Sequence, residues 1–155
     1  MEHDDFWDRI GTVNAGMLDA TDGQRRVPMS HHAERERDML WFITAQGTDM
    51  VASVEAGPRA ASYVISDGGK GIYADLRGTL ALSHDNAKLD EIWSVVADAW
   101  FEGGKSDPEV RLLSFSVDAG EVWLTPTTGL VFMLGIARAQ LTGTHPDSGS
   151  HFKLP

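Results

Sequence analysis

The stretch that decides the fold is QRRVPMSHHAERERDMLWFITAQGTDMVASVEAGP, residues 24–58. Gln24 to Ser30 carries two arginines on a short strand-like segment. Met39 to Thr44 (Met-Leu-Trp-Phe-Ile-Thr) is an apolar strand rich in aromatic and branched side chains. The turn Ala45-Gln46-Gly47 then feeds a helix that opens at Thr48-Asp49 and closes at Gly57-Pro58. A strand, a tight turn and a helix N-terminus in that order present backbone N–H groups and the positive end of a dipole, the arrangement that holds a phosphate. This is half of an anion cradle. The first helical turn carries Met50 where a lysine would complete it.

Working outward, Phe6, Trp7 and Ile10 fall at helical spacing within Glu2 to Ile10, which predicts a short amphipathic helix. Thr12 to Ala20 and the Arg25 strand flank the turn Thr21-Asp22-Gly23 and read as a hairpin. Residues 31–38 read as a polar, solvated connection. Strands are expected over Ala60 to Ser66, Ile72 to Ser83, Val110 to Val117 and Glu121 to Leu124. Gly78, inside the second of these, predicts a bulge or a close approach by another backbone or a ligand. Asp85 caps a helix expected to run to about Ala99, with Leu89, Ile92, Trp93 and Val96 as its apolar stripe. Gly129 to Leu141 reads as a last helix. Thr142 to Pro155 reads as a frayed tail, which makes 1–143 a single domain and 144–155 its C-terminal tail. Short strands joined mostly by tight turns, with a few helices and no regular βαβ alternation, predict a mainly β, antiparallel barrel with appended helices. No G-x-G-x-x-G or G-x-x-x-x-G-K-S/T sequence supports a nucleotide-binding α/β fold.

The chain has 155 residues and a formal net charge of −10, so a broad surface for nucleic acid or anionic membranes is not expected, and any anion must be held locally. Cysteine is absent, which leaves no disulfide or thiolate chemistry. The acidic N-terminus resembles no secretory signal, and the longest apolar run is too short to span a bilayer; a cytoplasmic protein is the expectation. Adjacent His31 and His32 project divergently, so they make a poor metal pair, and no nucleophile elbow occurs.

Trp100-Phe101-Glu102-Gly103-Gly104-Lys105-Ser106-Asp107-Pro108, followed by Leu112-Leu113, resembles the W-F-x-G-G-K-x-D-P…L-L segment of the general stress protein 26 branch of the pyridoxamine 5'-phosphate oxidase-like proteins. Pro28-Met29, Trp41-Phe42-Ile43-Thr44, Gly78-Thr79 and Glu121-Val122-Trp123 follow the family's order. The resemblance covers roughly Phe6 to Gly143. It implies a split β-barrel that forms a homodimer and binds flavin mononucleotide (FMN) in clefts at the dimer interface. It also implies a redox-related role with an unknown substrate; the alternative is a non-catalytic small-molecule-binding or stress-linked dimer in which FMN binding is lost or weakened.

In flavin-binding relatives a basic residue just before Pro-Met and another in the first turn of the helix hold the phosphate. Here those positions are Val27 and Met50. Strand alternation would place Arg25 on the face of Val27 and Arg26 on the other, so Arg25 is the natural substitute; the competing reading is that both are surface charges on an edge strand. Thr44 and Thr48 offer hydroxyl donors, or Thr48 is simply an N-cap. Of Trp41 and Phe42, one enters the core and the other lines a cleft, or both are core. Trp100, Phe101 and Lys105 either meet a ring and an anion or clamp a dimer. The expected cofactor-binding set is therefore Arg25, Arg26, Val27, Pro28, Met29, Phe42, Ile43, Thr44, Thr48, Met50, Trp100 and Lys105.

Overall fold

The computed structural model describes residues 1–23, 25–126, 129–143 and 149–155. Gln24, part of the first predicted strand, and residues 144–148 of the predicted tail lie outside the described residues. The elements in chain order are α1 (Glu2–Ile10), β1 (Gly16–Asp19), β2 (Val27–Met29), β3 (His32–Glu34), β4 (Met39–Ala45), α2 (Asp49–Val54), β5 (Arg59–Asp67), β6 (Ile72–Ser83), α3 (Asn86–Ile92), α4 (Val95–Trp100), β7 (Val110–Leu124), α5 (Gly129–Thr142) and β8 (Ser150–Leu154).

The strands form one antiparallel sheet in the order β2-β1-β5-β6-β7-β4-β3, with β8 on β7. β2 and β3 end this path on opposite sides, yet only Ser30 and His31 separate them in the chain. The two edges therefore converge there and are joined through the chain, as a split barrel requires. The core is filled by Leu18, Leu40, Phe42, Tyr63, Leu76, Leu80, Leu113 and Phe115, and the apolar face of α1 (Phe6, Trp7, Ile10) closes one opening. Phe42 and Phe115 meet the Tyr63 ring edge-on, at centroid distances of 5.2 and 6.4 Å.

The bulge expected at Gly78 is present: the register between β6 and β7 shifts at Arg77/Gly78, and a Cβ there would run into the Ser116 carbonyl. Five expectations need correction. The stretch 31–38, expected as a polar, solvated connection, holds the buried His31 and β3, paired with β4. The two strands read over Val110 to Val117 and Glu121 to Leu124 are one strand, β7; Asp118 is the extra residue of the bulge, and Ala119 and Gly120 resume the ladder opposite Arg77 and Leu76. The helix expected from Asp85 to about Ala99 breaks at Trp93, whose backbone is extended (φ −61°, ψ 132°). Ser94 then starts a new helix by accepting a hydrogen bond from the Ala97 N–H at 3.2 Å. The expected apolar stripe does not bury: Val96 is exposed, and the buried side chain of α3 is Lys88. Finally, the C-terminal end does not fray, since β8 pairs with Gly120–Leu124 of β7 and buries Leu154.

Candidate functional site

A cleft of about 460 Å³ opens at the seam where β2 and β3 converge. Pro28, Met29 and Ser30 form one wall with His32 of β3, and the end of β4 (Ile43, Thr44, Ala45) forms the floor. Ser94, Val96, Ala97, Trp100 and Phe101 of α4 and its exit form the other wall. Trp100 is 81% exposed, so a large indole face stands at the rim with little to cover it in one chain.

The seam is held from inside. His31 is buried, with Nε2 2.8 Å from the Ile10 carbonyl and Nδ1 2.7 Å from the Tyr63 hydroxyl, which in turn lies 2.8 Å from the Met29 carbonyl. The last residue of α1, the middle of β5 and a cleft-lining residue are thus tied through one imidazole. Gly16 makes room for this, because a Cβ there would come within 2.7 Å of Tyr63 Cζ. Burial lowers the pKa of His31, against the opposing effect of its bond to Ile10, and raises that of Tyr63. His32 is also lowered by burial, so the imidazole in the cleft is neutral near pH 7.

Five of the sequence-predicted residues line the cleft: Pro28, Met29, Ile43, Thr44 and Trp100. The others lie elsewhere, each for a physical reason. Phe42 points into the core and is fully buried. Its neighbour Trp41 is buried as well, with its indole N–H on Glu34 at 2.8 Å and the Arg37 and Lys88 cations over its ring at 5.8 and 5.6 Å. Met50 is in the core, and Val27 packs against it. Thr48 is the N-cap of α2, accepting from the Val51 N–H and donating to the Ala45 carbonyl, both at 3.2 Å.

Arg25 precedes β2, so the strand-face argument does not apply to it. Its backbone N–H is held by the Thr21 hydroxyl, and its guanidinium pairs with Asp49 at 2.7 Å. Arg26 reaches back toward the Met17 and Ser62 carbonyls at 3.4 and 3.5 Å. Lys105 pairs with Asp90 at 3.2 Å on a separate surface.

Sequence reasoning missed Ser30, His32, Ser94, Val96 and Ala97 as cleft residues. The signal for the last three was the N-cap at Ser94, which a helix drawn through to Ala99 conceals. His31 was read as solvated because it stands in a run of polar residues; only its partners on α1 and β5 explain its burial.

The family model described as pyridoxamine 5'-phosphate oxidase like matches residues 1–147. The chain belongs to the pyridoxamine 5'-phosphate oxidase-like family. A crystal structure described as a general stress protein 26, from Jannaschia sp. CCS1, is 47% identical, covers 99% of this chain and 96% of its own, and superposes with a TM-score of 0.92. The general stress FMN/FAD binding protein of Xanthomonas citri is 27% identical over 81% of this chain and 90% of that one, with a TM-score of 0.71. A general stress protein 26-related structure from Clostridium acetobutylicum, 18% identical over 79% and 87% with a TM-score of 0.64, shares the fold. No curated protein matches the chain. Within the pyridoxamine 5'-phosphate oxidase-like family the chain thus falls in the general stress protein 26 branch. Among the described residues no helix is long and apolar enough to cross a membrane.

Proposed function

We propose that the cleft between β2, β4 and α4 binds the isoalloxazine ring of a flavin, making the chain a redox-related flavin-binding member of its family. The observation that carries this reading is the cleft's lining. Met29, Ile43, Val96, Trp100 and Phe101 provide flat and apolar surface, and Ser30, Thr44 and His32 provide a few convergent polar groups. An apolar slot with a small number of placed polar groups is how proteins hold a planar heterocycle. The similarity to a protein described as FMN/FAD binding supports the same reading.

The redox chemistry of such a protein belongs to the flavin, and the chain's part is to bind and orient the ring and to exclude water from it. The cleft presents no carboxylate, and its one imidazole is neutral near pH 7. That lining favours a second reading, a small-molecule-binding protein without catalysis. Titration of the purified protein with flavin, followed by flavin fluorescence and by tryptophan emission, tests the binding. Saturable quenching in the micromolar range is expected, and it should weaken in Trp100→Ala. Absence of binding at hundreds of micromolar would overturn the flavin reading. Reduction of the bound flavin by a nicotinamide or thiol reductant separates the redox protein from the passive binder.

A further inference from the structure

The flavin assignment accounts for the ring but not for the phosphate of FMN. Among the described residues that line the cleft there is no lysine or arginine, and the one basic group, His32, is half-buried and neutral near pH 7. Where the chain continues from the cleft floor at Ala45 into α2, the Thr48 hydroxyl is bonded back to the Ala45 carbonyl, so the start of α2 is fixed beside the cleft's end. The next residue is Asp49, a carboxylate, and then comes Met50, buried in the core. On the opposite side, Val27 packs against the core immediately before cleft-lining Pro28. Two cations stand at this corner and both are engaged: Arg25 pairs with Asp49 at 2.7 Å, and Arg111, opposite Thr44 on β7, donates to the Pro108 and Val110 carbonyls at 2.7 and 2.8 Å and to the Gln46 side-chain oxygen. A phosphate carrying nearly two negative charges would therefore meet a carboxylate, two apolar side chains and two guanidiniums already bonded to other groups, on a chain whose net charge is −10.

We infer that the cleft takes an uncharged flat heterocycle, a flavin without its terminal phosphate, and that Asp49 is the residue that sets this preference by holding Arg25 and opposing an anion. The inference rests on the proposed ring site and specifies its ligand: riboflavin is bound as well as FMN, or better. Recognition comes from stacking and apolar burial against Met29, Ile43 and Trp100, with the ribityl chain left to hydroxyls and solvent. Asp49 acts at a distance from the ring, through charge alone.

The test is a parallel titration of the full chain with riboflavin, FMN and lumichrome, at low and high salt, for the wild type and for Asp49→Asn. Expected are riboflavin and FMN dissociation constants within about tenfold of one another, with riboflavin the tighter and the ratio moving toward one as salt screens the repulsion. In Asp49→Asn, FMN affinity should rise by about threefold or more while riboflavin and lumichrome stay unchanged. A preference for FMN of more than about tenfold in the wild type would overturn the inference, because Arg111 or a cation of a second copy must then reach the phosphate. So would an FMN-to-riboflavin ratio that Asp49→Asn leaves untouched. Failure of all three ligands to bind is a different result: it removes the ring site itself, and the flavin reading with it.

Discussion

The hydroxyl proton of Tyr63 has two acceptors within reach, the Met29 carbonyl at 2.8 Å and His31 Nδ1 at 2.7 Å. Because His31 Nε2 faces the Ile10 carbonyl, that nitrogen carries the proton of the neutral ring and Nδ1 is left as an acceptor. One proton is thus shared by two acceptors, both away from water. Replacing Tyr63 by Phe removes the hydroxyl that faces the Met29 carbonyl and His31 Nδ1 and should destabilise the fold by about 1–3 kcal/mol. An unchanged urea midpoint would show that the hydroxyl contributes nothing to the seam.

The same residues set a pH dependence. Burial lowers the pKa of His31 below its ordinary 6.5 in the folded chain, so between the two values the unfolded chain binds the extra proton. The stability from the neutral ring is then present above pH 6.5 and is lost as pH falls toward the folded value, and His32 adds in the same direction. The melting temperature should therefore drop between pH 7 and pH 5, and His31→Gln should flatten that drop without abolishing it. The lowered carboxylates, Asp19 held by the Thr21 hydroxyl and Asp107 by the Glu109 and Gly103 N–H groups, act only at more acid pH.

At the scale of elements, α4 and β8 differ in how much of the core depends on them. α4 buries no side chain and is started by a single Ser94 cap, yet it supplies one wall of the cleft. Ser94→Ala should cost about 1 kcal/mol, felt locally. The expected signature is weaker flavin binding with an almost unchanged global melt, and a large fall in melting temperature would contradict it. β8 is the reverse case: Leu154 is buried near Leu76 across from Gly120, so Leu154→Ala should cost about 2 kcal/mol and lower the melting temperature while ligand affinity holds.

These two elements also mark where the sequence was and was not legible. The strands that build the barrel were read from alternation and turn residues, because Tyr63, Leu76, Leu80 and Leu113 must all face one interior and their spacing carries that demand. α4 was absorbed into α3 because Val96 continues the spacing of Leu89, Ile92 and Trp93, whereas the structure leaves Val96 exposed. β8 was invisible because Ser-His-Phe-Lys-Leu has a weak alternation and gains its place only from its pairing with Gly120–Leu124 of β7, far from it in the chain. The cleft was half legible for the same reason: Pro28, Met29, Ile43 and Thr44 sit on strands whose pattern is local, while Arg25, Met50 and Lys105 were placed by resemblance and find their partners through tertiary contacts.

The whole molecule carries two properties that pull against each other. A net charge of −10 on a 16.9 kDa chain favours separate monomers, whereas Val95 and Trp100 on α4 and Leu141 on α5 are 88, 81 and 88% exposed, large apolar surfaces that a solitary chain would leave in water. The α4 surface borders the cleft, so a second copy packed there would cover the Trp100 indole and complete an enclosure that one chain leaves open. We expect a homodimer driven by apolar burial and opposed by charge. Light scattering should then give about twice the chain mass, and association should tighten between low and moderate salt, since screening removes repulsion without weakening the apolar contact. Val95→Glu, which adds a charge to the centre of the exposed face while leaving the buried core untouched, should shift the population toward monomer and weaken flavin binding in parallel. A monomer in the wild type at high concentration and moderate salt would rule out this assembly. A Val95→Glu monomer that binds flavin with undiminished affinity would instead locate the whole binding site within one chain.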